Sequence, residues 1–267
     1  MGELTGTWHY GLIARWWAEV NKPEAVELAY LRAAIGRFGE PALDLGCGTG
    51  RLLVPLLAEG FDVDGTDISP DMVQYARDAA ALAGVHIEGR LSVQTFDGLD
   101  RPRRYATIFS IGSFAIGGSP ERDAAALRRI HDHLIPGGAV LLSYEVITKA
   151  DHARMSDPAR IYPSPWPKTG PRATLSDGDE LELLSRAASY DANLRCQGLE
   201  IRARLWRDGR LVREESGSLL NTYYLPEQLT AMLEGAGFSS VVVEGPYTGR
   251  APEPADDTVV VTARRVS

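Results

Sequence analysis

Apolar positions along the first half of the chain recur in two alternating rhythms. Leu28, Leu31, Ile35 and Phe38 fall at three- and four-residue spacing and predict a helix over residues 24–38, closed by Gly39. The run 41-PALDL-45 is short and almost wholly apolar, as a strand buried on both faces should be. A helix from about Gly50 to Glu59 comes next, with Pro55 early in it, where proline starts or bends a helix rather than continuing it. A second strand is predicted at 61-FDVDGTD-67. Ser69-Pro70-Asp71 then supplies a capping oxygen, a proline at the first helical position and an acid beside the positive dipole end. That helix should run to about Ala83 and stop at Gly84. Strands are predicted at 90-RLSVQT-95 and 105-YATIFSI-111. The same start signal returns at Ser119-Pro120-Glu121, opening a helix to about Leu134, and 134-LIPGG-138 turns into a fifth strand, 139-AVLLSYE-145. Strands alternating with helices in this way predict right-handed crossovers and a parallel sheet.

The second half breaks the rhythm. Five prolines between Pro158 and Pro171 predict an irregular loop over residues 150–172. Three long β segments follow at 180–191, 198–208 and 210–220, and Asp208-Gly209 between the last two is a hairpin signal. This is an antiparallel insertion. The α/β pattern resumes with a helix over Pro226–Glu234 and strands at 239–244 and 258–264.

Composition narrows the partners more than the fold. At 267 residues the chain is long enough to bury a core without disulfides. Its two cysteines, one inside a glycine turn, point to a reducing, cytoplasmic setting. The net charge is −8 and no lysine- or arginine-rich run appears, which argues against nucleic acid; 101-RPRR-104 reads as a solvated turn. His131 and His133 read as surface residues of the helix that follows. No apolar stretch approaches the length of a membrane span, the first residues lack the pattern of a signal peptide, and no H-x₃-H or C-x₂-C spacing suggests a metal site.

The chemistry concentrates in 41-PALDLGCGTGRLL-53. A strand that ends in a glycine-rich turn and opens a helix leaves bare main chain at the carboxyl edge of a sheet, open to a ligand. Dinucleotide-binding turns space their glycines G-x-G-x-x-G. Here the spacing is G-x-G-x-G, with Asp44 two residues before Gly46, where a pyrophosphate would meet a carboxylate and an ammonium group would be welcome. Asp67 ends the next strand, 23 residues after Asp44, placed to accept two hydrogen bonds from a ribose diol. A ribose and an amine with no required phosphate describe S-adenosyl-L-methionine.

The paired motifs 43-LDLGCGTGRL-52 and 63-VDGTDISPDM-72 closely resemble those of the class I S-adenosylmethionine-dependent methyltransferases, over about residues 35–145 and 222–264. The resemblance implies an α/β, Rossmann-like seven-stranded sheet in the order 3-2-1-4-5-7-6, with strand 7 antiparallel and the antiparallel β insertion placed after strand 5. One domain would then comprise N-terminal cap helices (1–38), a cofactor-binding core (39–149), a β-rich insertion acting as lid or dimer face (150–221), and a return to the core sheet (222–267). It also implies site residues. Gly46, Cys47 and Gly48 would line the methionine part, and Asp44 would orient that loop or the amino group. Asp67 would hold the ribose hydroxyls, and Ile68 and Met72 would pack on the adenine. Thr95 stands where the family usually has an acid beside the adenine; Asp97 would substitute for it, and Phe96 would cover the ring.

The segment 8-WHYGLIARWWAEV-20 looks like the cap over the cofactor in small-molecule members. Tyr10 and Trp16 or Trp17 would sit over the sulfonium, Arg15 would pair with the cofactor carboxylate, and His9 is a polar pocket candidate; the alternative is an amphipathic packing helix with Arg15 in solvent. The fourth strand brings Ser110, Ser113 and Phe114 to the pocket. Glu145 ends the fifth strand as a candidate base or amine anchor. Tyr223 and Tyr224 alternate, one expected toward the pocket and one toward the core. The chain lacks the N-P-P-[YF] tetrapeptide of methyltransferases acting on planar nitrogens in nucleic acids and proteins. The expected reaction is therefore methyl transfer to a nitrogen or oxygen of a small molecule. A non-catalytic cofactor-binding module and an NAD-dependent oxidoreductase are the competing readings.

Overall fold

The structure is a computed structural model that describes residues 7–266. Two helices lead, α1 (Gly11–Val20) and α2 (Ala25–Phe38). An alternating run follows: β1 (Ala42–Leu45), α3 (Leu53–Ala58), β2 (Val63–Asp67), α4 (Pro70–Leu82), β3 (Leu91–Val93), β4 (Tyr105–Ile111), α5 (Pro120–His133) and β5 (Leu134–Glu145). A short helix α6 (Lys149–Met155) precedes the strands β6 (Arg172–Thr174), β7 (Glu180–Asp191), β8 (Cys196–Arg207) and β9 (Arg210–Thr222). The chain closes with α7 (Pro226–Gly235), β10 (Phe238–Glu244) and β11 (Thr258–Arg265).

The main sheet runs β3-β2-β1-β4-β5-β11-β10. Its strands are parallel as far as β5, and β11 is antiparallel to both neighbours. Counted along the core alone this is the expected order 3-2-1-4-5-7-6. The side-chain alternation of β1 explains why the sheet is covered on both sides. Leu43 and Leu45 join Ile108, Leu142, Leu127 of α5 and Leu229 of α7 in one core, while Ala42 joins Leu31 and Ile35 of α2, Leu53 of α3 and Phe109 in the other.

β6-β7-β8-β9 form a separate antiparallel sheet. Leu181, Leu183, Ile201 and Leu205 on one of its faces pack against Leu12, Ile13 and Trp16 of α1. The β8–β9 turn is the predicted one, with Asp208 (φ 50°) and Gly209 (φ 72°) both left-handed.

Several expectations need correction. α3 starts at Leu53 rather than near Gly50, because Gly50 (φ 79°) is left-handed and cannot open a right-handed helix; Pro55 then sits in the first turn, where its missing N–H has no intrahelical partner to lose. β5 begins at Leu134, so 134–138 is strand rather than turn. The region read as an irregular loop begins with α6, capped by Thr148, whose Oγ accepts from Asp151 N–H at 3.0 Å.

His133 is buried, not a surface residue. Its Nδ1 lies 2.8 Å from Arg129 O, which makes that nitrogen the donor and leaves Nε2 to accept from Arg101 N–H at 3.2 Å. His131 packs edge-on against Phe238 at 5.2 Å between centroids. Nor is 101-RPRR-104 simply a solvated turn. Arg101 and Arg103 join Arg90 and the Tyr105 hydroxyl around Asp64, which is buried at the start of β2. Asp62 beside it is lowered to about 2 by Arg103 and Arg90. This ion cluster occupies the amino edge of the sheet, the edge opposite the glycine turn.

Candidate active site

At the carboxyl edge, β1 runs into 46-GCGTG-50. The N–H groups of Gly46 and Cys47 both donate to Thr66 O, at 2.8 and 2.9 Å, and tie the turn to β2. Gly46 (φ 81°) has no room for a side chain: a Cβ would lie 2.4 Å from Ser113 Oγ and 3.0 Å from Phe96 Cζ. Gly48 (φ 53°) is the reverse case. A Cβ there would meet nothing within 4 Å, because the residue borders a cavity of about 390 Å³.

Asp67 lines that cavity at the end of β2. One carboxylate oxygen accepts from Gly48 N–H at 2.9 Å and the other from Ser69 N–H at 2.8 Å. A carboxylate offers about four lone-pair sites, so roughly two remain for a ligand. Burial raises the Asp67 pKa, and the backbone hydrogen bonds oppose that shift. The next residues continue the wall. Ile68 and Met72 line it, and Ser69 caps α4 by accepting from Met72 N–H at 3.2 Å. Ser69 Oγ also donates to His9 O at 2.5 Å, and Gly11 N–H donates to Asp71 at 2.7 Å, so the start of α4 holds the start of α1.

Beyond β3, Thr95, Phe96 and Asp97 line the cavity. Phe96 stacks on Phe114 with centroids 6.5 Å apart. Thr95 Oγ1 accepts from Gly98 N–H at 3.0 Å. Asp97 is held by Arg122 through two hydrogen bonds of 2.9 Å, which lowers its pKa. Ser113 lines the cavity, hydrogen-bonded to Ser110 at 2.8 Å. From the N-terminal side come Trp8, His9 and Trp17, with the His9 and Trp17 rings 5.9 Å apart. Burial lowers the His9 pKa to about 4, so its imidazole is neutral at neutral pH.

Nine of the residues singled out in the sequence do not line the cavity. Asp44 is buried behind the turn, its pKa pushed up to about 8 by burial against the opposing charge of Arg51. Ser110 and Phe114 stand one layer back, behind Ser113 and Phe96. Tyr10 precedes α1 and is exposed. Arg15 is spent on Glu19 at 3.2 Å and on Asp177 of the insertion at 2.8 Å, which draw it away from the cavity. Trp16 faces the insertion core, about a quarter-turn of helix from Trp17.

Glu145 is exposed at the end of β5 and accepts from Asn221 Nδ2 at 3.2 Å. Tyr223 and Tyr224 are both buried and neither lines the cavity. Tyr223 donates to Gln197 at 2.7 Å and is raised to about 12 by burial and the Glu145 charge; Tyr224 donates to Asp123 at 2.8 Å from within the α5–α7 core.

The cavity also holds residues that the sequence reading passed over: Asn21, Arg51, Asp123 and Leu219. Arg51 had a signal, since it directly follows the third glycine of the turn. Leu219 had none. It reaches the cavity because the loop after β4 pairs with the end of β9, through an Ile116–Asn221 bridge and hydrogen bonds from Gly117 N to Leu220 O (2.6 Å) and from Thr222 N to Ala115 O (3.0 Å).

Comparison with known proteins agrees with this geometry. Residues 42–138 match the family model described as a methyltransferase domain. The ubiquinone biosynthesis O-methyltransferase of Pectobacterium atrosepticum is 33% identical over 84 residues, 29% of this chain and 35% of that protein. Its counterpart in Xanthomonas euvesicatoria is 28% identical over 141 residues, 49% of this chain and 56% of that protein. The chain thus spans between about a third and just over half the length of these curated relatives. Among solved structures, an S-adenosylmethionine-dependent methyltransferase from Clostridium acetobutylicum superposes with a TM-score of 0.70 at 15% identity, covering 92% of this chain and 94% of the other. The sugar N-methyltransferase KedS8 from Streptoalloteichus gives 0.69 at 20% identity, covering 100% and 96%. At such identities the superpositions speak for fold alone. The segment 42–138 is a methyltransferase domain, and the fold around it is that of the class I S-adenosylmethionine-dependent methyltransferases.

Proposed function

We propose that the chain transfers a methyl group from S-adenosyl-L-methionine to a nitrogen or oxygen of a small molecule. The observation that carries the reading is Asp67. Its carboxylate is fixed by two backbone N–H groups at the wall of a cavity whose floor is side-chain-free main chain at Gly48. The residues present suit the cofactor: two acceptor sites for a diol, apolar Ile68, Met72 and Phe96 beside them, and open space along the turn for an amino-acid tail. The indole N–H groups of Trp8 and Trp17 are buried without a partner among the described residues.

Bound there, the cofactor supplies an electrophilic methyl group on sulfur. The protein's part is positional. Asp67 and the glycine turn orient the nucleoside, and the aromatic segment from Trp8 to Trp17 shields the cavity from water. Glu145, the candidate anchor for an amine or hydroxyl, stands outside the cavity wall, so it could meet only an acceptor that extends beyond the cavity. Its carboxylate is accessible and is steadied by Asn221. Tyr223, raised to about 12 and already donating its hydroxyl to Gln197, does not act as a base at neutral pH. The sugar and glycopeptide N-methyltransferases among the structural neighbours, and the O-methyltransferases among the sequence relatives, support a small-molecule acceptor. No helix among the described residues is long and apolar enough to cross a membrane.

Calorimetric titration with S-adenosylmethionine, S-adenosylhomocysteine and NAD tests the cofactor, and turnover of labelled S-adenosylmethionine on a panel of amines and phenols tests the reaction. Binding of NAD alone would refute the proposal. Tight binding of the sulfonium nucleoside with no turnover on any acceptor would favour the non-catalytic reading.

A further inference from the structure

Arg15, the cation expected to meet the cofactor's carboxylate, is held outside the cavity by Glu19 and Asp177. A cation beside the cavity would favour that group, since a carboxylate taken out of water without a partner is strongly disfavoured. His9 is neutral, which leaves two lining cations, Arg51 and Arg122. They differ in setting. Arg122 is 46% exposed and turned side-on to Asp97, through Nε and Nη2. The Arg51 side chain is only 17% exposed and lies in the residue after Gly50, on the loop whose main chain faces the cavity. It meets buried Glu27 of α2 end-on, with Nη1 bonded to one carboxylate oxygen and Nη2 to the other at 2.8 Å. A guanidinium has five N–H donors, so an end-on pair that uses two leaves Nε–H and one hydrogen on each Nη.

We propose that Arg51 is the binding residue for the α-carboxylate of the cofactor's amino-acid tail, and that Glu27 is its positioning residue, holding the guanidinium planar against α2 with its free donors on the cavity side. The inference rests on the S-adenosylmethionine reading above and deepens it. Glu27 balances the single charge of Arg51, so what the pair offers the tail is directed N–H donors, while Asp67 stands nearby as an acceptor and the zwitterionic tail brings an ammonium together with its carboxylate.

The test uses two probes that differ only at the tail. S-adenosylhomocysteine carries it, whereas 5′-methylthioadenosine keeps adenine, ribose and thioether and lacks it. Calorimetry on the full chain should show Arg51→Met weakening S-adenosylhomocysteine roughly tenfold or more while 5′-methylthioadenosine stays within about twofold. Arg51→Lys should fall between. Glu27→Gln should weaken S-adenosylhomocysteine less than Arg51→Met does and leave the tail-less probe unaffected, a selectivity that a purely structural ion pair would not produce. Because Arg51→Met leaves Glu27 buried and unpaired, the double variant Glu27→Gln/Arg51→Met keeps the comparison readable if the single one unfolds. Equal weakening of both probes, or of neither, in a folded variant overturns the assignment. Wild-type chain that binds neither probe overturns the cofactor reading itself, a result distinct from failure at Arg51.

Discussion

Replacing Asp67 with alanine is the most direct perturbation of the site. Its two oxygens accept from Gly48 and Ser69 N–H at 2.9 and 2.8 Å, and the remaining lone pairs face the cavity. Hydrogen bonds to a charged group contribute about 1.5–3 kcal/mol each, so two from a ribose diol are worth about 3–6 kcal/mol at most. Water refills the vacated space in the variant and returns part of that. A net loss of about 1.5–4 kcal/mol, roughly tenfold to several hundredfold in Kd, is the expectation. Asp67→Asn retains one acceptor oxygen and should fall between. The assay is calorimetric titration with S-adenosylhomocysteine at pH 7.5, alongside thermal melting. The melting curve separates loss of binding from loss of fold, since Asp67→Ala also strips the Gly48 and Ser69 amides of their acceptor. A folded Asp67→Ala variant with wild-type affinity would refute the placement of the ribose and, with it, the orientation of everything else in the cavity.

Other variants test other parts of the structure. Gly46→Ala puts a side chain at φ 81° and its Cβ 2.4 Å from Ser113 Oγ; chemical denaturation should show a loss of about 2–4 kcal/mol, and wild-type stability would contradict the close packing of the turn. Asp44 has a folded pKa near 8, above its ordinary 3.8, so the folded state holds the proton more tightly and stability falls as pH rises from about 4 to 8. Asp44→Asn removes that dependence: urea titrations should show it losing less stability than wild type between pH 5 and pH 8, and parallel losses would show that Asp44 ionises normally. Asp64→Ala leaves Arg90, Arg101 and Arg103 facing one another without their buried partner and should cost about 3–5 kcal/mol in denaturation, with unchanged affinity for S-adenosylhomocysteine per folded molecule. A change in that affinity would mean that the two edges of the sheet are coupled.

Much of this was legible in the sequence, for local reasons. Helix starts at Ser69-Pro70 and Ser119-Pro120, the buried run at 42–45, the turn at Asp208-Gly209 and the carboxylate at Asp67 each carry their signal within a few residues. Long-range pairing carries no such signal. Arg15 looked available until the fold brought Asp177 to it, across 162 positions of sequence. His133 looked like a surface residue because helix α5 is rich in charge, yet the turn at Arg101 folds over it. The arginines of 101–104 read as solvated because Asp62 and Asp64, their partners, lie about forty residues earlier. One of Tyr223 and Tyr224 was expected to face the pocket, but both are buried against Gln197 and Asp123, and the Ala115–Gly117 loop lines the cavity instead.

That loop has a consequence for how selectivity can change. Through Ile116 and Asn221 it is stitched by main-chain bonds to the last strand of the insertion, while the nucleoside end of the cavity rests on β1 and β2, which the insertion does not join. Substitutions at Leu219 and Ile116 would reshape a part of the cavity wall that neither hydrogen bond of Asp67 uses. Such an arrangement would let changes in the last strand of the insertion alter one side of the cleft while the carboxylate at the other keeps its main-chain partners.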